Sequence, residues 1–473
     1  MNKKYEIDKR PIGLLFLIEY RNAIMLFTIL MTFFYFINKN VNITELSLAG
    51  YRAMIIFFLA IVLWTLNIIP VVITSLLIMG LLSVYNVLES KVIYSFFGNS
   101  SVFFILGSFI ISAGVKVSGI SRRIAYVVLA RYNSRPFSLV ASIFFLSAFM
   151  SHIMPEHAVA ALLIPILGDI SGTFERKNVL NQYLYFSIFL GCVTGGVVTF
   201  LGGARNPLAV GILNEMTGKN ISFIKWWAGA SAPIYVLMAM ILLYLKKKIS
   251  SEISAGKIKN KLEITSDYRL KKISFNEIKA ASILILTIFL WIFYNEEFGI
   301  SNIALLSASL YFVLNVAKWE EINREINWGV LFMYGGSIAI GSALNSVGVL
   351  KWIVDNYLLN LNFSESGFIF LLITTSIFMT ELISNSAVIV ILLPVAINLG
   401  TKMGISPELV TMSVALPSGL SYIFPISSPV VAMIYSTKQL DLKTLIKSGF
   451  VLKIISVIIM FIFIKYYFPF IGI

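Results

Sequence analysis

The sequence predicts an all-α polytopic membrane protein, with about eleven transmembrane helices and two re-entrant hairpins arranged as an inverted repeat. Three observations predict it. Of 473 residues, 58% are hydrophobic and only 13% charged, against about a quarter charged in a soluble domain. The apolar residues come in long blocks, such as 55–66 and 451–464. Sliding the chain by 229 positions lays 103–165 on 332–394 without a gap.

Taken in order, residues 1–21 open as MNKKYEIDKRP, polar and of mixed charge. They read as a cytoplasmic tail and not as a cleavable signal, because the apolar block that follows is long and lacks a cleavage site. A first half, 22–245, holds spans at 22–38, 51–66, 68–86 and 101–118. It continues with a hairpin at 137–167, a broken helix at 183–213 and a span at 226–245. A basic cytoplasmic loop, 246–278, leads to a second half, 279–473. That half has spans at 279–294, 300–317 and 328–347, a hairpin at 366–397, a broken helix at 408–435 and a span at 446–470. Each hairpin segment is long enough to enter the bilayer and turn back, and each carries polar residues at its middle.

The basic residues test this order. Arg122, Arg123, Arg131 and Arg135 follow the fourth span, and Lys246, Lys247 and Lys248 follow the sixth. With the N-terminus inside, both groups fall on the cytoplasmic face, as loop bias requires. The uncharged C-terminus then falls outside. The net charge of +14 is thus explained by membrane topology in the plasma membrane, not by nucleic acid. Cys192 is the only cysteine, so no intrachain disulfide forms. No nucleophile–base set or metal cluster indicates an enzyme, and no cofactor is implied beyond a coupling ion.

The repeat aligns punctuating residues as well as bulky ones. Gly107 meets Gly336, Ser108 meets Ser337, Gly119 meets Gly348 and Pro165 meets Pro394. Asn206-Pro207 meets Ser428-Pro429 at an offset of 222. The span before each hairpin runs in opposite directions in the two halves, which makes the repeat inverted, a frequent transporter design.

Non-helical backbone at membrane depth survives only where protein or a water-filled cavity surrounds it. Hairpin tips and helix breaks therefore mark the cavity, offering N–H groups to anions and carbonyls to cations. The first tip reads MSHIMPEHAVAALLIP. Pro155 opens a helix there, with Glu156 and His157 in its first turn. Glu156 binds H⁺ or Na⁺, or pairs with Arg205. His157 either titrates near neutral pH or stays a neutral hydrogen-bonding group. The second tip reads MTELISNSAVIVILLP. Its Ser384, Asn385 and Ser386 can donate to carboxylate or sulfate oxygens, and Asn385 can also turn its carbonyl to Na⁺. His152 aligns with Glu381.

The first break reads GGVVTFLGGARNPLAV. Gly202 and its neighbours permit unwinding, Pro207 starts the next half-helix, and Asn206 sits between. Arg205 either clamps an anionic group or neutralises Glu156. In the second break, Pro425, Ser427, Ser428 and Pro429 are the counterparts, with carbonyls and hydroxyls suited to Na⁺.

Over nearly its whole length the chain resembles the divalent anion/sodium symporter family, within the wider ion transporter superfamily. The carriers are LGSFIISAGVKVSGISRRIA, INWGVLFMYGGSIAIGSALNSVG, SNSAVIVILLP and the two breaks. The resemblance implies scaffold and transport domains, a homodimer and elevator-like transport. It implies C4-dicarboxylate, citrate or sulfate as substrate, usually with Na⁺. Each hairpin tip in that family carries Ser-Asn-Thr. This chain keeps the pattern at Ser384-Asn385-Ser386 and departs from it at Pro155-Glu156-His157. The departure suggests that the Arg205 guanidinium stands where a Na⁺ ion otherwise sits, leaving fewer Na⁺ ions or H⁺ as the coupling ion. The superfamily also contains Na⁺/H⁺ antiporters and exporters of neutral oxyacids such as arsenite, which Glu156 would suit.

Overall fold

Long apolar runs that leave water must satisfy their amides internally, and the described chain does so as helices throughout. The computed structural model describes residues 20–39, 46–66, 68–98, 100–131, 135–171, 179–258, 272–353, 356, 364–424, 427–440 and 442–473. Most of the N-terminal tail, 259–271 of the basic loop, and Pro425 lie outside the described residues. Among the described residues, seven helices are long and apolar enough to cross a membrane, and six further apolar helices are shorter.

The helices begin with Arg21–Ile37, Leu48–Leu66, Val71–Val84 and Ser100–Ser118. Two of them then form a tight pair, Pro136–Ile153 and Glu156–Ser171, joined only by Met154 and Pro155. Val179–Gly195 follows, then an irregular stretch at 196–204, then Arg205–Thr217. The same sequence of elements recurs after Phe275–Phe293, Ile300–Val313 and Trp328–Ser346. Glu365–Met379 and Asn385–Lys402 form the second pair, and Pro407–Ser418 and Pro429–Ser436 flank the second irregular stretch. Both arms Pro136–Ile153 and Asn385–Lys402 are 18 residues long, so length alone does not distinguish a re-entrant arm from a full crossing. Phe223–Ser254 runs 32 residues, past the expected 226–245, because Leu245 and Ile249 stay buried on one face while Lys246, Lys247 and Lys248 are exposed on the other.

Two details of sequence explain the packing. Gly119 and Gly348 stand just past the helices Ser100–Ser118 and Trp328–Ser346, with left-handed φ of 87° and 78°. A side chain would be strained there, so the aligned glycines end two equivalent helices. Gly191 and Gly195 let Val179–Gly195 lie directly on Pro136–Ile153, since a Cβ at either would overlap Ser147 or the Ala148 backbone.

The halves interlock reciprocally. Arg205–Thr217 packs on Asn385–Lys402 and Pro407–Ser418, while Pro429–Ser436 packs on Glu156–Ser171 and Val179–Gly195. Each short half-helix thus lies against one arm of the other helix pair and the helix that follows it. Around this centre, apolar faces point outward: Ile285, Phe289 and Phe293 on one helix, Ile454, Ile458 and Ile462 on another. Stripes of that kind need a bilayer or another apolar surface to cover them.

Candidate functional site

Residues from both tips and both breaks meet around one cavity of about 230 Å³. Its lining includes Glu156, His157, Gly203 and Arg205 from the first half, and Ser384, Asn385, Ser386, Ser427 and Pro429 from the second. The remaining wall comes from Val71 and the start of Trp328–Ser346, including Asn327 and Met333.

The first tip works by its helix start. Pro155 lacks an N–H and precedes the helix, so Glu156 is its first residue. The Glu156 N–H donates to Gly202 O at 3.0 Å, tying tip to break. Its carboxylate accepts from Arg205 Nη1 at 3.1 Å and from Ser428 Oγ at 3.5 Å. Both members of the pair are buried. The pair needs the surrounding glycines. A Cβ at Gly196 would overlap the Glu156 carboxylate, and one at Gly203 or Gly419 would collide with the Arg205 guanidinium. Arg205 Nε and Nη2 are buried and have no hydrogen-bond partner among the described residues. A guanidinium carries five N–H donors in a rigid fork, so this side chain retains capacity for an anion's oxygens after neutralising Glu156.

Asn206 sits in the break as a strut. Its amide donates to Gly196 O at 2.9 Å and Thr199 O at 2.7 Å, and it is fully buried away from the cavity. Trp226 Nε1 holds Val197 O at 3.2 Å from the other side. The half-helix begins at Arg205, two residues before Pro207. Gly202, Asn206, Pro207 and Ser428 therefore surround the site without lining it.

Toward the cavity the second tip presents only neutral side chains, Ser384, Asn385 and Ser386. Ser384 caps the helix Asn385–Lys402, accepting from Ala387 N at 3.3 Å, which leaves its O–H free to donate. Thr380 Oγ1 bonds Asn385 Oδ1 and lies 2.8 Å from Ser418 O. Three oxygens from tip and break therefore converge beside the cavity. Ser427 Oγ donates to Phe424 O at 2.6 Å.

The family model for the sodium:sulfate symporter transmembrane region matches residues 21–473. The chain belongs to this symporter family. It is 24% identical over 452 residues to a sodium-dependent dicarboxylate transporter SdcS of Staphylococcus saprophyticus, covering 88% of this chain and 86% of that one. It is 24% identical over 440 residues to SdcS of Staphylococcus aureus, covering 86% and 84%. An uncharacterised transporter of Haemophilus influenzae is also 24% identical, over 420 residues, covering 84% and 87%. In fold, the chain is similar to the YdaH transporter of Alcanivorax borkumensis, with a TM-score of 0.60 at 14% identity, covering 80% of this chain and 87% of that one. The chain is accordingly a multi-pass membrane transporter of the symporter family.

Sequence reasoning missed three residues near the centre of this transporter. Thr380 stands just past Glu365–Met379 and Ser418 ends Pro407–Ser418, and their meeting with Asn385 is made only by the fold. Lys453 is fully buried and pairs with Glu381 at 2.8 Å. Its signal was present: a lysine inside the apolar block 451–464 is an intramembrane ionisable residue.

Proposed function

We propose that this transporter carries a small anion, a di- or tricarboxylate or an inorganic oxyanion such as sulfate, coupled to Na⁺ or H⁺ by an elevator-like movement. The observation that carries the reading is Arg205: a buried guanidinium at the cavity, two of whose nitrogens have no partner among the described residues. Ser384, Asn385 and Ser386 supply neutral donors on the facing wall. Glu156 alone would repel a dianion, but its ion pair with Arg205 cancels that charge.

The coupling ion belongs, on this reading, to the second half. Thr380 Oγ1, Asn385 Oδ1 and Ser418 O form the kind of oxygen cluster that holds Na⁺. In the first half the Arg205 guanidinium takes the cation's place, so the two halves need fewer Na⁺ ions than two equivalent sites would. The names of the SdcS relatives support Na⁺ and a dicarboxylate. The repeated order of helix pair and broken helix supports an inverted repeat, with the transport domain built from these elements. The exposed apolar faces of the outer helices suit a scaffold domain and a homodimer, with the N-terminus cytoplasmic.

A second reading rests on Glu156 itself, a carboxylate on the cavity wall. It suits a Na⁺/H⁺ antiporter or an exporter of a neutral oxyacid of the arsenite type. Uptake by proteoliposomes separates the two. Labelled succinate, citrate and sulfate are offered under an inward gradient of NaCl or choline chloride. Na⁺-stimulated accumulation of one anion is the expected result. Proton movement driven by Na⁺, with no anion accumulated, would replace this reading by antiport.

A further inference from the structure

The second break holds a charge pair that the cavity never touches. Glu381 follows the helix Glu365–Met379 and projects its carboxylate into the break. There it accepts from the backbone N–H groups of Tyr422 at 2.6 Å, Ile423 at 3.1 Å and Phe424 at 2.9 Å. These donors would otherwise be orphaned by the loss of helix. Lys453, from Leu442–Tyr466, completes the arrangement. Its ammonium meets Glu381 Oε1 at 2.8 Å, Leu420 O at 3.4 Å, and Ile377 O.

Those three partners are all oxygens, and an ammonium has three N–H donors to give. Ile377 O lies in the last turn of Glu365–Met379, and Leu420 O lies just past the end of Pro407–Ser418. Helix C-termini carry partial negative charge and attract cations. Two such ends and a carboxylate, enclosed away from water, make a coordination set for a small monovalent cation. Here the chain supplies the cation itself.

We propose that Lys453 is a tethered cation. Its ammonium fills an oxygen-lined monovalent-cation site on the side of the second break remote from the cavity. By neutralising Glu381 it holds the Tyr422–Phe424 backbone in place with no ion drawn from solution. Lys453 is thus a positioning residue, distinct from the Thr380, Asn385 and Ser418 oxygens that face the tip. The inference does not depend on which substrate is carried, because its test uses no substrate.

The test is thermal melting of purified protein in NaCl, LiCl or choline chloride at equal ionic strength. Lys453→Ala vacates the site and leaves Glu381 charged. We expect it to melt well below wild type in choline, and Na⁺ or Li⁺ to raise its melting temperature saturably by several degrees more than they raise wild type. Glu381→Gln/Lys453→Met removes both charges while keeping volume, and should show no cation response beyond that of wild type. A Lys453→Ala protein that responds to Na⁺ only as wild type does would overturn the proposal. If Lys453→Ala cannot be purified, the neutral double variant decides: folding is expected, and its failure to fold would show that charge compensation is not what Lys453 provides.

Discussion

The two breaks of this transporter are built from the same order of elements but place their charge on opposite sides. In the first break the charge faces the cavity, as Glu156–Arg205, while His152 stands apart from it and meets the Tyr235 hydroxyl. In the second, the cavity lining is neutral, with Ser384, Asn385, Ser386 and Ser427, and the charge pair Glu381–Lys453 stands apart from it. His152 and Glu381 occupy aligned positions, and both touch their own break. The His152 carbonyl accepts from Thr199 Oγ1, whereas the Glu381 carboxylate accepts from backbone N–H groups. The lesson is a division of labour between related frames. Both charge pairs are buried, but one lines the cavity, and the other stands apart from a lining that is neutral on that side.

The strongest way to break this comparison is to remove one member of each pair. Leaving a buried charge alone costs about 3–5 kcal/mol, so Arg205→Ala and Glu381→Ala should both melt far below wild type. Neutral double variants sharpen it. Glu156→Gln/Arg205→Met should regain stability but no longer be stabilised by any anion. Glu381→Gln/Lys453→Met should regain stability and keep its anion response. Equal anion responses in the two doubles would erase the proposed difference.

A smaller effect is expected from Gly419→Ala, whose added Cβ would press on Arg205 Nε and Nη2. Overpacking of this kind costs about 1–3 kcal/mol, and here it should appear chiefly as weaker anion binding in a titration. The smallest effect belongs to Tyr235→Phe. It removes one hydrogen bond to His152, of 3.3 Å, from the outer side of the first break. A loss of about 0.5–1.5 kcal/mol in unfolding experiments is expected, with uptake unchanged.

Much of this frame was legible in the sequence because backbone constraints leave residue-specific marks. Gly119 and Gly348 had to tolerate left-handed φ, and Pro155 had to precede a helix. The glycines around 195–203 had to admit both backbone and the Glu156–Arg205 pair. Side-chain roles were less legible, because one chemistry serves several purposes. Asn206 carries the amide expected of a ligand, yet the fold points it at carbonyls of its own break. Pro207 was expected to start a half-helix that in fact begins at Arg205. Lys453 vanished into the average hydropathy of its block. Its meaning depends on Ile377, Glu381 and Leu420, which are distant in sequence and become neighbours only through folding. Pro425 lies outside the described residues, so its part in the second break rests on the sequence.

The measurement that bears most directly on the division between breaks is anion-induced thermal stabilisation, with and without Na⁺, in wild type and Asn385→Ala. If the first break supplies the anion's cation and the second the coupling ion's oxygens, one of succinate, citrate or sulfate should stabilise wild type strongly in Na⁺ and weakly in choline. Asn385→Ala should lose the Na⁺-dependent part. An anion that stabilises both proteins equally in either salt would contradict the account.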